Sequence, residues 1–256
     1  MEKEIFDAMD ELDGVHWWFR ARRRIVLDVI SRYLDCNGRP RFLDLGVGVG
    51  GVLAEVERLG DATGMDCSDI AIAYASERTN ARLVKGEVPW DLANLDGNYD
   101  CVLMLDLLEH LDDDLDSLRQ IPGLLAPRGI LVLTVPAYQW LYSPRDVYHH
   151  HRRRYTKGEI LSKLKASDLM PELISYYNTL LFPLAAVQRL VSKFNHEEPG
   201  LDLSMPPHIM NNLFERIFTS EKALLGRVPL PFGLSVISVS RNSGAVKSHD
   251  REGAFY

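Results

Sequence analysis

Cysteine is scarce in this 256-residue chain: Cys36, Cys67 and Cys101 are an odd, dispersed set without the paired spacings of a zinc site or a disulfide framework. That fits a reducing cytoplasm. The opening Met1-Glu2-Lys3-Glu4-Ile5-Phe6-Asp7 lacks the basic region and apolar run of a secretory signal. Long hydrophobic runs are lacking too. The nearest approach, Leu180 to Phe194, contains Pro183, Gln188, Arg189 and Lys193 and falls short of the roughly 20 apolar residues a membrane span needs. Positive charge is not in excess either. Lys and Arg total 29 against 36 Asp and Glu, a formal charge of -7, so a sequence-independent grip on a nucleic-acid backbone is not expected.

What is present is an alternation of short apolar runs with helical spacings. Phe42 to Leu45 runs into glycines and Val52 to Leu59 follows with helical periodicity, which predicts strand, tight turn and helix. A second strand is predicted over Ala62 to Met65, Ser68 caps a helix through Ile70 to Tyr74, and Ala81 to Lys85 reads as a third strand. Asp100 to Leu105 and Ile130 to Val135 are almost wholly apolar, as parallel strands covered on both faces are, with a helix from near Asp112 between them. Thr156-Lys157-Gly158-Glu159 has the capping-box pattern of a helix start, and Met170 to Tyr177 predicts a strand. Two apolar helical stretches, Thr179 to Phe194 and Ile209 to Leu225, precede a last strand over Leu234 to Ser240. The fold class is therefore α/β, an open doubly wound sheet with its ligand at the carboxyl ends of the strands. One domain over 1–241 and a polar tail over 242–256 are expected.

The most informative stretch is Asp44-Leu45-Gly46-Val47-Gly48-Val49-Gly50. Its glycines let the backbone turn sharply and approach a ligand, while the helix that follows offers unpaired N–H groups. Asp66, at the end of the next strand, can accept hydrogen bonds from both hydroxyls of a ribose. A nucleotide-like ligand is implied. Gly46-x-Gly48-x-x-Gly51 also satisfies the dinucleotide fingerprint, so these glycines alone leave an NAD-dependent oxidoreductase open.

In order along nearly the whole chain, the motifs resemble those of class I S-adenosylmethionine-dependent methyltransferases. Asp44 to Gly50 looks like motif I, and Asp66 sits like the ribose-binding acid. Leu105-Asp106-Leu107-Leu108-Glu109-His110-Leu111 is similar to the Asp-x-x-Glu-His segment after the fourth strand. Leu124 to Ile130 is similar to the Leu-Lys-Pro-Gly-Gly turn before the fifth, with Arg128 replacing a glycine. His16 to Arg23 and Asp146 to Tyr155 resemble elements of a bacterial subgroup of sugar, polysaccharide and natural-product tailoring enzymes. The resemblance implies a Rossmann-like, seven-stranded, mostly parallel sheet with an antiparallel last strand. It also implies S-adenosyl-L-methionine as cofactor, S-adenosyl-L-homocysteine as product, and a cofactor site of Trp18, Arg23, Asp44, Gly46, Gly48, Gly50, Asp66, Cys67, Glu87, Leu105, Asp106 and His110. Glu87 stands where the family usually carries Asp.

Trp17, Trp18 and Phe19, with Arg20 and Arg23 at helical spacing, predict a lid helix over about 12–35, with Arg23 meeting the methionine carboxylate of the cofactor. A surface helix with solvated arginines is the plainer reading. His149-His150-His151-Arg152-Arg153-Arg154 is the densest cationic run and lies just beyond the fifth strand, where quinone-biosynthesis O-methyltransferases form part of their acceptor site. One of His149, His150 and His151, His151 first, is the expected general base. Arg152, Arg153 and Arg154, with Tyr138 and Tyr155, are expected to hold an anionic acceptor. No metal is expected, because three consecutive loop residues seldom converge on one ion.

The helical insertion over about 178–228 is expected to roof the acceptor pocket. Its apolar face around Leu180 to Leu184 permits contact with a membrane surface or a partner chain. The expected reaction is in-line methyl transfer to a small-molecule or glycan acceptor, with oxygen the preferred nucleophile. A cofactor-binding protein without catalysis is the rival from another class.

Overall fold

The computed structural model describes residues 3–187 and 205–242. Seven strands form one sheet: β1 Arg41–Leu45, β2 Asp61–Asp66, β3 Arg82–Lys85, β4 Tyr99–Leu105, β5 Leu125–Pro136, β6 Leu169–Tyr177 and β7 Ser235–Asn242. Their order is β3-β2-β1-β4-β5-β7-β6. Strands β1 to β5 pair in parallel, and β7 runs antiparallel to both β5 and β6. The chain winds outward from β1 through β2 to β3, then returns to place β4 on the other side of β1. A crevice therefore opens at the carboxyl ends of β1 and β4, the switch point at which open α/β sheets bind ligands.

The apolar runs of β4 and β5 follow from burial on both faces. Cys101, Leu103 and Leu105 of β4 and Ile130 and Val132 of β5 enter one core with Ile25, Val26, Val29 and Ile30. Val102, Met104, Leu131 and Leu133 enter a second core with Leu118 and Ile121. Alternate residues of each strand thus serve opposite faces, and each fully buried aliphatic side chain contributes about 1.5–3 kcal/mol.

The helices are α1 Lys3–Asp13, α2 Trp17–Tyr33, α3 Leu53–Glu57, α4 Asp69–Arg78, α5 Asp114–Leu124, α6 Pro144–Tyr148, α7 Lys157–Ala166 and α8 His208–Ser220. The capping box predicted at Thr156 opens α7: Thr156 Oγ1 accepts from Glu159 N at 3.2 Å and Glu159 Oε2 from Thr156 N at 2.6 Å. The helix predicted over about 12–35 is α2, Trp17–Tyr33, and a separate α1, Lys3–Asp13, precedes it. The chain breaks after Asp13, and the His16 ring caps α2 by accepting from Trp18 N at 3.3 Å. Helix α1 lies on α4 through Phe6, Val49 and Ala71 and is held by polar contacts, Asp7 with Tyr74 and Arg78 with Asp10 and Asp13.

Helix α8 packs against α2. Trp17 meets Phe214 and Phe218 edge-on at 5.7 and 6.0 Å, and buried Glu215 pairs with Arg20 at 3.2 Å and Arg24 at 2.5 Å. The stretch predicted as helix over Thr179 to Phe194 is helical over 182–187 and otherwise lies partly outside the described residues, as does nearly all of the 242–256 tail. Among the described residues no helix is long and apolar enough to cross a membrane.

Candidate active site

The loop after β1 shows why its glycines are needed. Gly46, Gly48 and Gly50 all have positive φ, at 74°, 53° and 81°. A Cβ on Gly48 would come within 4 Å only of Met9 Cε, at 3.9 Å, so the backbone there borders open cleft. A Cβ on Gly50 would strike Ala75 Cα of α4 at 2.9 Å. Gly50 therefore serves helix packing and is not part of the cleft lining, a correction to its assignment as a cofactor contact.

Carboxylates ring the loop. Asp66, at the end of β2, accepts from Gly48 N at 3.0 Å and Ser68 N at 2.9 Å, and burial raises its pKa despite those bonds. Asp44, 3% exposed, is pushed up to about 7 by burial against the pull of Arg22. Cys67, Glu87, Leu105, Asp106 and His110 line the same cleft.

Of the arginines on helix α2, Arg22 lines the cleft. Its guanidinium lies 2.5 Å from Asp106 and 5.1 Å from the centroid of the Trp18 ring. Arg23, expected in this role, points along the helix's other side to Asp13 at 2.5 Å and does not line the cleft. Trp18 and Arg22 share a face because they are four residues apart, the signal by which Arg22 could have been found.

On the opposite rim, the loop over 142–155 is built around buried Asp146, 1% exposed. Asp146 Oδ2 accepts from Ser143 N at 2.9 Å and Ser143 Oγ at 3.1 Å. Its Oδ1 meets Arg154 Nε at 2.7 Å and His151 Nδ1 at 2.9 Å. Burial alone would raise the Asp146 pKa, but the His151 hydrogen bond and the Arg154 guanidinium hold it far below the usual carboxylate range. An acceptor-only carboxylate on Nδ1 makes that nitrogen the protonated one in a neutral imidazole, which leaves the Nε2 lone pair bare. Nε2 lies 4.0 Å from Oε1 of Glu109, which is fully buried. The His110 ring packs edge-on to His151 at 4.8 Å. His149 and His150 also line the cleft. Burial depresses His110 to about 4 and His149 to about 3.

The expected acceptor-binding residues are mostly engaged elsewhere. Arg154 is 5% exposed and its guanidinium is committed to Asp146 and the Ala137 carbonyl. Arg153 and Tyr155 both turn to Asp114, at 3.2 and 2.8 Å, and neither lines the cleft. Tyr138 stacks on Tyr176 at 5.0 Å, also outside it. Arg152 lines the rim, bonded to the His110 carbonyl and to Asp112. In each case a buried carboxylate, a main-chain carbonyl or an aromatic ring takes up the group. Glu109 stands in the Asp-x-x-Glu-His segment but was given no site role from the sequence; neither was Asp146, nor Asn178, 2% exposed, which lines the cleft with its side-chain oxygen unpaired.

The cavity joining the two rims measures about 1140 Å³. A drug-sized ligand occupies a site of roughly 300–1,000 Å³, so a cofactor and an acceptor fit together. The cofactor end has the donor set an adenosyl amino acid needs: a bare glycine backbone, a ribose-height carboxylate in Asp66, a buried acid in Asp44 and a guanidinium in Arg22. When bound, the cofactor supplies a methyl group on a sulfonium, already an activated leaving group.

Residues 18–180 match the family model described as a methyltransferase domain. The ubiquinone biosynthesis O-methyltransferase of Xanthomonas oryzae pv. oryzae is 30% identical over 189 residues, 64% of this chain and 77% of that one. An uncharacterized Synechococcus protein is 34% identical over 122 residues, 42% of this chain, which spans only 29% of that relative's length. Among solved structures, a plantazolicin methyltransferase in complex with S-adenosylhomocysteine superposes with a TM-score of 0.57 at 15% identity, covering 86% of this chain and 84% of that one. The fold, the cleft at the β1/β4 switch point and the family match agree: the chain belongs to the methyltransferase-domain family, and its cofactor is S-adenosylmethionine.

Proposed function

We propose that the protein transfers the cofactor's methyl group to a hydroxyl oxygen of a small-molecule acceptor, with His151 as general base. The observation that carries this reading is the Asp146–His151 hydrogen bond of 2.9 Å, which presents a bare Nε2 to the cavity. A base so oriented removes the proton from a hydroxyl as the oxygen attacks. Asp146 then stabilises the imidazolium. The likeness to a ubiquinone biosynthesis O-methyltransferase supports oxygen as the methylated atom and a small molecule as the acceptor.

At the other rim, Arg22 holds the cofactor's carboxylate and Asp66 its ribose, while Trp18 and α1 exclude water. The test is production of S-adenosylhomocysteine against a panel of hydroxylated, amino and carboxylated acceptors, with wild type and His151→Ala compared on any acceptor found. Hydroxylated acceptors should turn over, and His151→Ala should lose about a hundredfold or more in kcat. Full turnover by His151→Ala removes it as the base.

A further inference from the structure

Among the groups that line the cavity, the side-chain amide of Asn178 has no role in that chemistry. Strand β6 ends at Tyr177, and at Asn178 the chain turns with φ at 57°, a left-handed conformation that asparagine tolerates better than most residues. The turn is pinned on both sides. Leu234 N donates to the Asn178 carbonyl at 3.3 Å, Thr179 Oγ1 to the Phe232 carbonyl at 2.5 Å, and Leu180 N to the buried carboxyl of Glu221 at 2.8 Å. An amide carried on so fixed a backbone loses little conformational freedom when a ligand arrives.

Asn178 is 2% exposed, and neither end of its amide is satisfied. Oδ1 is enclosed and unpartnered. Nδ2 donates to no group among the described residues and, unlike Oδ1, is not enclosed, so it opens on the cavity that Asn178 lines. Leu181, Leu184, Ala185 and Leu234 line the same cavity, which makes the amide a polar point on an apolar wall. Small-molecule sites use such points to fix the orientation of a ligand.

The place of Asn178 in the sheet assigns that ligand. The cofactor groups Asp44 and Asp66 stand on β1 and β2, whereas Asn178 follows β6, the strand at the far edge. Its carbonyl binds Leu234 N, and the Leu234 carbonyl accepts from Ala137 N at 2.8 Å, where the chain leaves β5 for the loop that carries His151. We propose that Asn178 is a specificity-determining residue whose Nδ2 donates a hydrogen bond to an uncharged oxygen of the acceptor, a second oxygen besides the one methylated.

The proposal rests on the cavity taking an oxygen acceptor beside the cofactor, and it holds whether or not His151 is the base. A carbonyl, ether or hydroxyl oxygen suits an amide donor. A carboxylate would bring its charge to a wall of leucine and alanine. An analogue without the second oxygen leaves the amide unpaired, and a site built this way rejects it.

Methyl transfer to 2-, 3- and 4-hydroxyacetophenone, each compared with the isopropylphenol of the same substitution, tests the assignment. Each pair keeps the shape and removes the carbonyl oxygen. Comparing the ketone-to-hydrocarbon ratio of kcat/KM between proteins cancels the difference in phenol acidity. At one ring position at least, Asn178→Gly, which accepts the left-handed backbone, and Asn178→Leu, which keeps the volume, should lower that ratio by about tenfold or more. Turnover of the isopropylphenol and affinity for S-adenosylhomocysteine should stay within about twofold of wild type.

The assignment is overturned if affinity for S-adenosylhomocysteine falls together with the ratio, since the residue then serves the cofactor or the fold. Phenols turned over at unchanged ratios in both variants overturn this inference alone. No turnover of any of these phenols by wild type overturns it together with methyl transfer to a hydroxyl oxygen.

Discussion

Arg22 and Asp106 face each other across the switch point of the sheet, guanidinium to carboxylate at 2.5 Å, the one from α2 and the other from the left-handed residue that follows β4. The pair joins the N-terminal helix to the floor of the cleft, so Arg22→Ala should act on the ligand. Affinity for S-adenosylhomocysteine should fall by about tenfold or more, the value of a charged hydrogen bond. Arg23→Ala should leave that affinity within about twofold and lower stability by about 1–2 kcal/mol through loss of the Asp13 pair. Calorimetric titration and thermal melts separate the two effects.

The glycine loop allows a similar separation. Gly50→Ala forces a methyl onto Ala75 at positive φ and should cost about 2–4 kcal/mol in urea denaturation. Gly48→Ala meets little protein, so its stability cost should be near 1 kcal/mol. Its methyl intrudes on the cleft instead, and cofactor-product affinity should fall by more than stability does.

Asp114 gathers Tyr155, Lys163 and Arg153, the first two at 2.8 and 2.7 Å, and is 3% exposed. Asp114→Ala should destabilise by about 3 kcal/mol, as loss of one member of a buried charged network does. Arg153→Ala should cost about 1 kcal/mol. Neither should change kcat on a hydroxylated acceptor by more than about twofold, which would place Arg153 and Tyr155 in the scaffold.

Partly buried His149 gives the protein a distinct response to acid. His149 titrates at about 3 in the folded chain and near 6.5 when unfolded. The unfolded state therefore binds the extra proton first. The stability tied to neutral His149 is complete above pH 6.5 and is lost as pH falls towards about 3, at up to about 1.4 kcal/mol per pH unit. His149→Gln should flatten the fall in stability over that window, measured by urea denaturation at a series of pH values.

Much of the fold can be read in the sequence because its signals are local. The apolar runs of β4 and β5 and the capping box at Thr156 depend on neighbours in the chain. So do the glycines between β1 and α3. Helix α1 escapes such a reading because its buried face is narrow, with Ile5 and Phe6 its only buried apolar residues. Choosing between Arg22 and Arg23 requires the rotational phase of α2, and one residue turns a helix by about 100°. The cationic run misleads for a different reason. Its charge suggests an anion, but Asp146, Asp112 and Asp114 already neutralise it, and two of these come from segments far away in the chain. The neighbourhood of Glu109 and His151 is likewise a product of the fold.

Strand β7 lies between β5 and β6 although it follows both in the chain. During synthesis β6 can have no sheet partner until residues 235–242 have left the ribosome, so the growing chain must carry an unpaired hydrophobic strand through the whole intervening insertion. Ribosome-bound chains halted before that point should be good clients for chaperones that recognise extended apolar segments, whereas chains halted after it should not.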